Sequence, residues 1–480
     1  MVEVELVEPD GPESPDGPRS PKSPHRSAGP DRPDVLGLPR TPRRRWARGR
    51  WLLAGAAVAV VAVAGGVRWD AASVEADDAR VAAHGELPGF ARSLREPLEE
   101  RWRTAGVMGA TEDLVLVEEG ETRDRRVVAL DAASGEQRWV LTDPAAAQGG
   151  LWCPEGLPER DLLLCWVPGD AVGGPNTDLV LEGMRPERLV AVTTADGVVV
   201  GERDLPPQTV GWAALEADVV VAYRDGDALR FERVDPVTGA VRWAVSPPVQ
   251  LPGAVVSELA LNVSDGFVVL TGPVNVVLGG DGTVLGTWAT PGATARVETS
   301  SIGFAVWTSL DEGTWYDAAG APGALLVGGP FGEAWARPLD DGDHPGLVIV
   351  ERSGGLQVVD VREEGPLWER APVDRVLLRV DGHLVVRAAD EVLGLDLRTG
   401  EERWKVTLDV GADPTAVVSD GVRILLPRYS AAAGRGLTAY DVADGSPLWT
   451  GPVPEGTSVL GVLPGGGVVT YGFADLVVLD

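Results

Sequence analysis

The stretch EVLGLDLRTGEERWKVTL, residues 391–408, reads as a strand, a tight turn and a returning strand. Leu393, Leu395 and Leu397 alternate with Val392 and Gly394, and both faces are nearly free of charge, as in a strand covered on both sides. Thr399-Gly400 supplies the turn, because glycine tolerates positive φ and the Asp396 carboxylate reaches exposed backbone amides. Trp404 then lies on the second strand, eight residues after Asp396.

The same spacing recurs at Asp131/Trp139, Asp235/Trp243, Asp360/Trp368 and Asp441/Trp449. A glycine stands four residues after the Asp in four of these five copies, at Gly135, Gly239, Gly400 and Gly445; the Asp360 copy moves it to Gly365. Weaker copies lie at 189–204, 275–288 and 313–327. A strand-rich repeat every 36–45 residues is the mark of one supersecondary unit stacked in a ring or a line. The fixed register of the tryptophans reads as packing between units rather than as an aromatic ligand surface.

The final unit is incomplete. Leu476–Asp480 (LVVLD) matches Val127–Asp131 (VVALD), and the chain stops where turn and Trp strand should follow. The missing strand stands at the other end: Glu99–Thr104 (EERWRT), around Trp102, resembles Glu401–Val406 (EERWKV) and has no Val-Leu-Asp strand before it. Residues 99–104 are therefore expected to complete the C-terminal unit, which closes a circle and removes exposed sheet edges. The expected fold is all-β: a closed β-propeller of four-stranded blades over 99–480. Nine candidate units can be drawn: 106–141, 149–204, 209–246, 255–289, 294–328, 334–370, 374–408, 414–452 and 457–480.

The VALDxxTGxxxW-like repeat resembles that of the PQQ-type (quinoprotein) β-propellers, over about four-fifths of the chain and strongly in five units. The resemblance implies about eight blades, which makes one weak unit suspect, chiefly 294–328. It also implies one of two callings: a dehydrogenase using pyrroloquinoline quinone and calcium, or a non-enzymatic scaffold such as the β-barrel assembly lipoprotein. The enzymes of the family carry adjacent cysteines over the quinone, whereas the two cysteines here, Cys153 and Cys165, are 12 residues apart, and no haem-attachment CxxCH is present. Fold alone does not carry function. The expectation is therefore no enzyme and no cofactor, with a protein- or ligand-binding scaffold preferred to a small-ligand sensor or a quinoprotein dehydrogenase.

Cys153 and Cys165 fall on what read as adjacent strands of one blade, within reach of a disulfide in an oxidising compartment. No metal site is expected. Asp340-Asp-Gly-Asp-His344 and Asp225-Gly-Asp227 have calcium-like composition, but hairpin turns use the same residues to bind backbone amides. His344 and His383 are read as turn residues. No Ser-His-Asp grouping, phosphate loop or nucleophile elbow stands out.

Composition sets the outer bounds. A net charge of −30 over 480 residues excludes a nucleic-acid partner, which needs a basic face. Residues 1–50 are rich in Pro, Ser and Arg without apolar periodicity and read as a disordered cytoplasmic tail. Trp51–Val67 is a run of 17 uncharged residues with five Arg in 41–50 before it and acid after it. That pattern predicts a single transmembrane signal-anchor with the N-terminus inside, preferred to a cleaved signal peptide, for which Ala62-Val63-Ala64 has the small residues but the preceding 50 residues are too long. A stalk over 68–98 and an extracytoplasmic propeller follow, with an envelope protein or ligand as the expected partner.

Overall fold

The computed structural model describes residues 74–120, 126–141, 151–169, 186–250, 259–289, 296–330, 338–352, 354–363, 365–409, 417–430, 434–455, 457–472 and 475–480. The tail and the span expected at 51–67 lie outside the described residues, as does most of the irregular insertion near 168–187. Among the described residues no helix is long and apolar enough to cross a membrane.

The described residues form nine sheets, antiparallel but for one added strand, blades 1 to 9, in the order of the nine units read from the sequence. In each blade the middle strands are the apolar ones, since neighbouring blades cover both of their faces. Leu114–Glu119, Leu162–Val167 and Phe267–Thr271 each bury four consecutive residues, and the fourth strands, such as Val199–Asp204, are mostly exposed. The core is accordingly a series of clusters between neighbouring sheets, for example Leu215, Phe231, Val268 and Val276 between blades 3 and 4.

The suspicion against 294–328 is corrected. Arg296–Ser300, Gly303–Trp307, Glu312–Asp317 and Pro322–Val327 pair in order as a complete blade 5, so the count is nine rather than about eight. Its repeat signal is weak for a local reason. Leu325, 62% exposed, stands eight residues after Asp317, where stronger units carry tryptophan.

The last blade takes strands from both ends of the sequence. Glu100–Ala105 runs antiparallel to Asp475–Leu479, with Trp102 opposite Val478 and Thr104 opposite Leu476. Val115, Val117 and Val128 of blade 1 share one cluster with Leu463, Val469, Leu476 and Val478 of blade 9.

The segment expected to be a stalk is in part built into the propeller. A helix over 74–84 leads into a chain that buries Phe90, Ala91 and Leu94 almost completely. Backbone bonds tie Ala91 N to the Ser419 carbonyl and Arg92 N to the Gly466 carbonyl. Asp420, fully buried, accepts from Leu94 N (2.8 Å) while pairing with Arg423 (3.0 Å). The composition of 85–98 is poor in regular patterning because its partners are residues of blades 7, 8 and 9, not a face of its own.

Blades 6 and 7 depart from the common plan. The innermost strand of blade 6 is only Gly329–Pro330, whereas blade 7 gains a fifth, parallel strand, Leu339–Asp340, against Arg375–Val380. The loop that follows, 341–346, lies where the two departures meet.

Candidate functional site

The repeat residues occupy one recurrent arrangement. Asp396 turns its carboxylate back on its own hairpin, accepting from Arg398 N, Thr399 N and the Thr399 hydroxyl, and pairing with Arg403 at 2.9 Å. Asp131 repeats this with Ala133, Ser134 and Arg138. Asp441 accepts from Ala443 N, and Asp360 from Arg362 N. The Arg403 guanidinium and the turn amides hold the Asp396 carboxyl down at about 2.

Each tryptophan reaches the next blade. Its indole N–H donates to a turn carbonyl there: Trp102 to Ala132, Trp139 to Thr194, Trp243 to Gly280, Trp368 to Leu397 and Trp404 to Val442. The ring lies on the glycine of that turn so closely that a Cβ on Gly400 would stand 2.6 Å from Trp368, and one on Gly445 2.7 Å from Trp404. Trp449 instead donates to the Leu94 carbonyl, so the segment before the propeller takes the place of a turn.

Blade 2 breaks the pattern, with Gly201 at the tryptophan position, packed against the Pro236 carbonyl. There Arg160 crosses from blade 2 to Asp235 of blade 3 (3.0 Å), which also accepts from Arg242, Val237 N and Thr238 N. The Arg160 guanidinium, with these amides, drives the Asp235 carboxyl far below the usual carboxylate range. An ion pair thus replaces an indole as the tie between blades.

Cys153 and Cys165 form a disulfide, with Cα atoms 4.0 Å apart. They bridge the first two strands of blade 2 at an irregularity in the register, and both are buried in the cluster shared with blade 1.

Of these residues, Asp131 lines a small cavity with Arg92, Arg101, Glu112 and Asp113, between blades 1 and 9. The candidate site lies instead beside the 341–346 loop. A cavity of about 480 Å³ is bounded by the first strand of blade 5, the second of blade 6 and the first of blade 7, where the short inner strand of blade 6 leaves room. Its lining mixes charge and hydroxyls, among them Glu298, Thr299, Ser300, Asp374, Arg375 and Arg379, over an apolar floor that includes Trp315 and Val348. Arg379, 8% exposed, holds Asp340 through Nε and Nη2 and donates from Nη1 to the Leu347 carbonyl (2.7 Å). That fixes the loop as one wall of the cavity.

On its other side the same loop meets the helix over 74–84. Asp341 faces His84 (3.6 Å), and Asp381, in the turn of blade 7, stands beside them; one ligand atom from each lies within 4.8 Å of the others. The sequence reading of Asp340–His344 as turn residues holds for the backbone, since Gly342 N and Asp343 N donate to Asp340 and Asp341. It missed His84, which sits more than 250 residues away in an unpatterned segment. It also missed the cavity, whose residues come from four blades without a common motif. The second calcium-like run remains a turn: Asp227 is exposed and pairs with Arg224. His383 is half-buried, its Nδ1 has no hydrogen-bond partner among the described residues, and burial pushes its pKa down.

Comparison with known proteins bears on this geometry in one region. The family model described as PQQ_2, outer membrane protein assembly factor BamB, matches residues 352–479, from within blade 6 to the end of blade 9. No curated protein matches the chain. Among solved structures it is similar to the C-terminal WD40 domain of Sif2 at 11% identity and TM-score 0.41, over 81% of this chain and 99% of that one. It is similar to BamB from Moraxella catarrhalis at 12% and 0.33, over 82% and 94%. It is similar to the quinohemoprotein alcohol dehydrogenase ADHIIG from Pseudomonas putida HK5 at 12% and 0.39, over 84% and 81%. Likeness this distant carries no argument about activity. The described residues form an all-β, nine-bladed propeller of blades built on four strands, with a PQQ-like match over 352–479.

Proposed function

We propose that this protein is a non-catalytic binding propeller of the cell envelope. It is anchored through 51–67 and presents the cavity between blades 5 and 7 to a protein segment or a polar ligand. The cavity carries the reading: it is concave, held open by the Arg379–Asp340 pair, and lined by hydrogen-bonding groups without a nucleophile–base pair among the described residues. The scaffold reading is also favoured by the match of 352–479 to an assembly-factor model. The disulfide agrees with an oxidising compartment outside the membrane. The reading takes the ring as closed, supported by the pairing of Glu100–Ala105 with Asp475–Leu479.

The test is site-specific photo-crosslinking in intact cells, with the probe at exposed Ser301 on the cavity rim and a control probe at Val200 on an outer strand. A discrete envelope component captured from Ser301 and not from Val200 is expected. Equal labelling at both positions, together with quinone- and calcium-dependent oxidation of an alcohol or sugar by the purified chain, overturns the proposal.

A further inference from the structure

We infer that His84, Asp341 and Asp381 form a binding site for a zinc-class divalent cation that clips the helix over 74–84 to blade 7. This is independent of the cavity and of any partner bound there.

The argument begins with the histidine. His84 is 7% exposed, and its Nδ1 lies 2.8 Å from the Arg80 carbonyl, which only accepts, so Nδ1 carries the hydrogen. The other ring nitrogen, Nε2, is left with its lone pair directed at the Asp341 carboxylate, itself 2% exposed. Two acceptors thus face each other inside the protein at 3.6 Å, with no hydrogen bond between them. A proton shared there would draw the pair in to about 2.8 Å. Two ligands of a tetrahedral zinc-class ion with bonds of about 2.0–2.1 Å stand about 3.4 Å apart. The gap has the width of an ion. A ligating histidine that donates its second N–H to a backbone carbonyl is also the usual support for such a site, since it fixes both tautomer and ring orientation.

The surroundings hold the ligands in place. A Cβ on Gly421 would stand 2.3 Å from the His84 ring, so only glycine there leaves the imidazole its seat. Asp341 Oδ1 accepts from Asp343 N, and Oδ2 from Asp381 N (2.6 Å), which ties the Asp341 carboxylate to the backbone of Asp381. Arg80 holds Asp381 Oδ2 at 3.3 Å but is shared with Asp77 at 2.5 Å, and Asp381 is the exposed member, able to swing in on the ion. One imidazole with two carboxylates and open positions suits zinc or a similar transition metal; calcium asks for six or more oxygens. The two acids balance the ion's charge.

The experiment is calorimetric titration of the metal-free full chain with Zn²⁺, alongside cobalt substitution read by its visible absorption. Wild type is expected to take up one equivalent, to raise its melting temperature with zinc, and to show protected amides over 74–84 in hydrogen exchange. His84→Gln and Asp381→Asn are expected to weaken binding tenfold or more, and Asp227→Asn to leave it unchanged. Since Asp381 is exposed, its variant tests the site even where the His84 change disturbs packing. Stoichiometric binding that survives both variants, or the absence of binding in a wild type that melts cooperatively, overturns the inference.

Discussion

Gly400 and Gly239 have nearly the same backbone conformation, φ +70° and +71°, yet Gly400 lies under Trp368 and Gly239 has nothing within 4 Å of where a Cβ would be. Alanine at either position bears the cost of a left-handed conformation, roughly 1–2 kcal/mol. Only Gly400→Ala also drives a methyl into the indole, adding about 1–3 kcal/mol. Denaturant midpoints of the two variants should therefore differ clearly, with Gly239→Ala the milder; equal losses would mean that the tryptophan contact is not tight. Asp396 offers a pH test. Its folded-state pKa, about 2, lies below the ordinary 3.8, so its stabilisation is complete above pH 4 and is lost as pH falls towards 2. Asp396→Asn should lower stability at neutral pH by at most about 2 kcal/mol and flatten its fall between pH 4 and 2. Stability curves over that range check both parts. At this scale the sequence was highly legible, because Asp, Gly and Trp each serve a distinct backbone or packing need that recurs at fixed spacing.

Elements were legible where they repeat and obscure where they do not. The nine units could be drawn from period and apolar runs, and even the weak unit at 294–328 proved a full blade once Leu325 was seen at the tryptophan's place. The segment 85–98 gave no such signal, because its residues are buried by elements from the other end of the chain. Its hold on the propeller passes through Asp420, which joins Leu94 N and Arg423 within a fully buried pocket. Asp420→Asn leaves Arg423 without its counter-charge, an expected loss of about 3–5 kcal/mol. It should also open 85–98 to protease well below the main transition. Limited proteolysis against temperature measures this, and unchanged cleavage would show that the buried charge pair does not anchor the segment. A chain beginning at residue 99 therefore loses packed core as well as a tether, since Phe90 and Leu94 go with it.

For the molecule as a whole, neighbouring blades are tied by different chemistries at different seams. Among the described residues, indoles donating to a turn carbonyl serve at five of them, Trp288 donates to the Tyr316 hydroxyl between blades 4 and 5, an Arg–Asp pair joins blades 2 and 3, and a disulfide stiffens blade 2 itself. Because the cystine spans 12 residues, reducing it should cost about 3 kcal/mol by chain entropy, read as a lower denaturant midpoint under reductant. Without reductant, thiol titration of the unfolded chain should find no free thiol. The candidate sites belong to this scale as well. The cavity and the His84 cluster assemble from distant segments around one loop, and a turn aspartate does not differ in sequence from a ligand aspartate. That is why the architecture could be read from the sequence while the candidate sites could not.

The first strand of the propeller, Glu100–Ala105, has its partner at Asp475–Leu479, about 370 residues further along. At synthesis rates of about 5–20 residues per second, its edge waits on the order of twenty to seventy seconds for that partner. During that interval Trp102 and its neighbours form an unpaired β-edge of the kind that invites pairing with other chains. The architecture that joins the two ends makes the birth of this protein its most exposed moment, and assigns to whatever guards nascent chains the task of keeping one short strand unmated until the last one arrives.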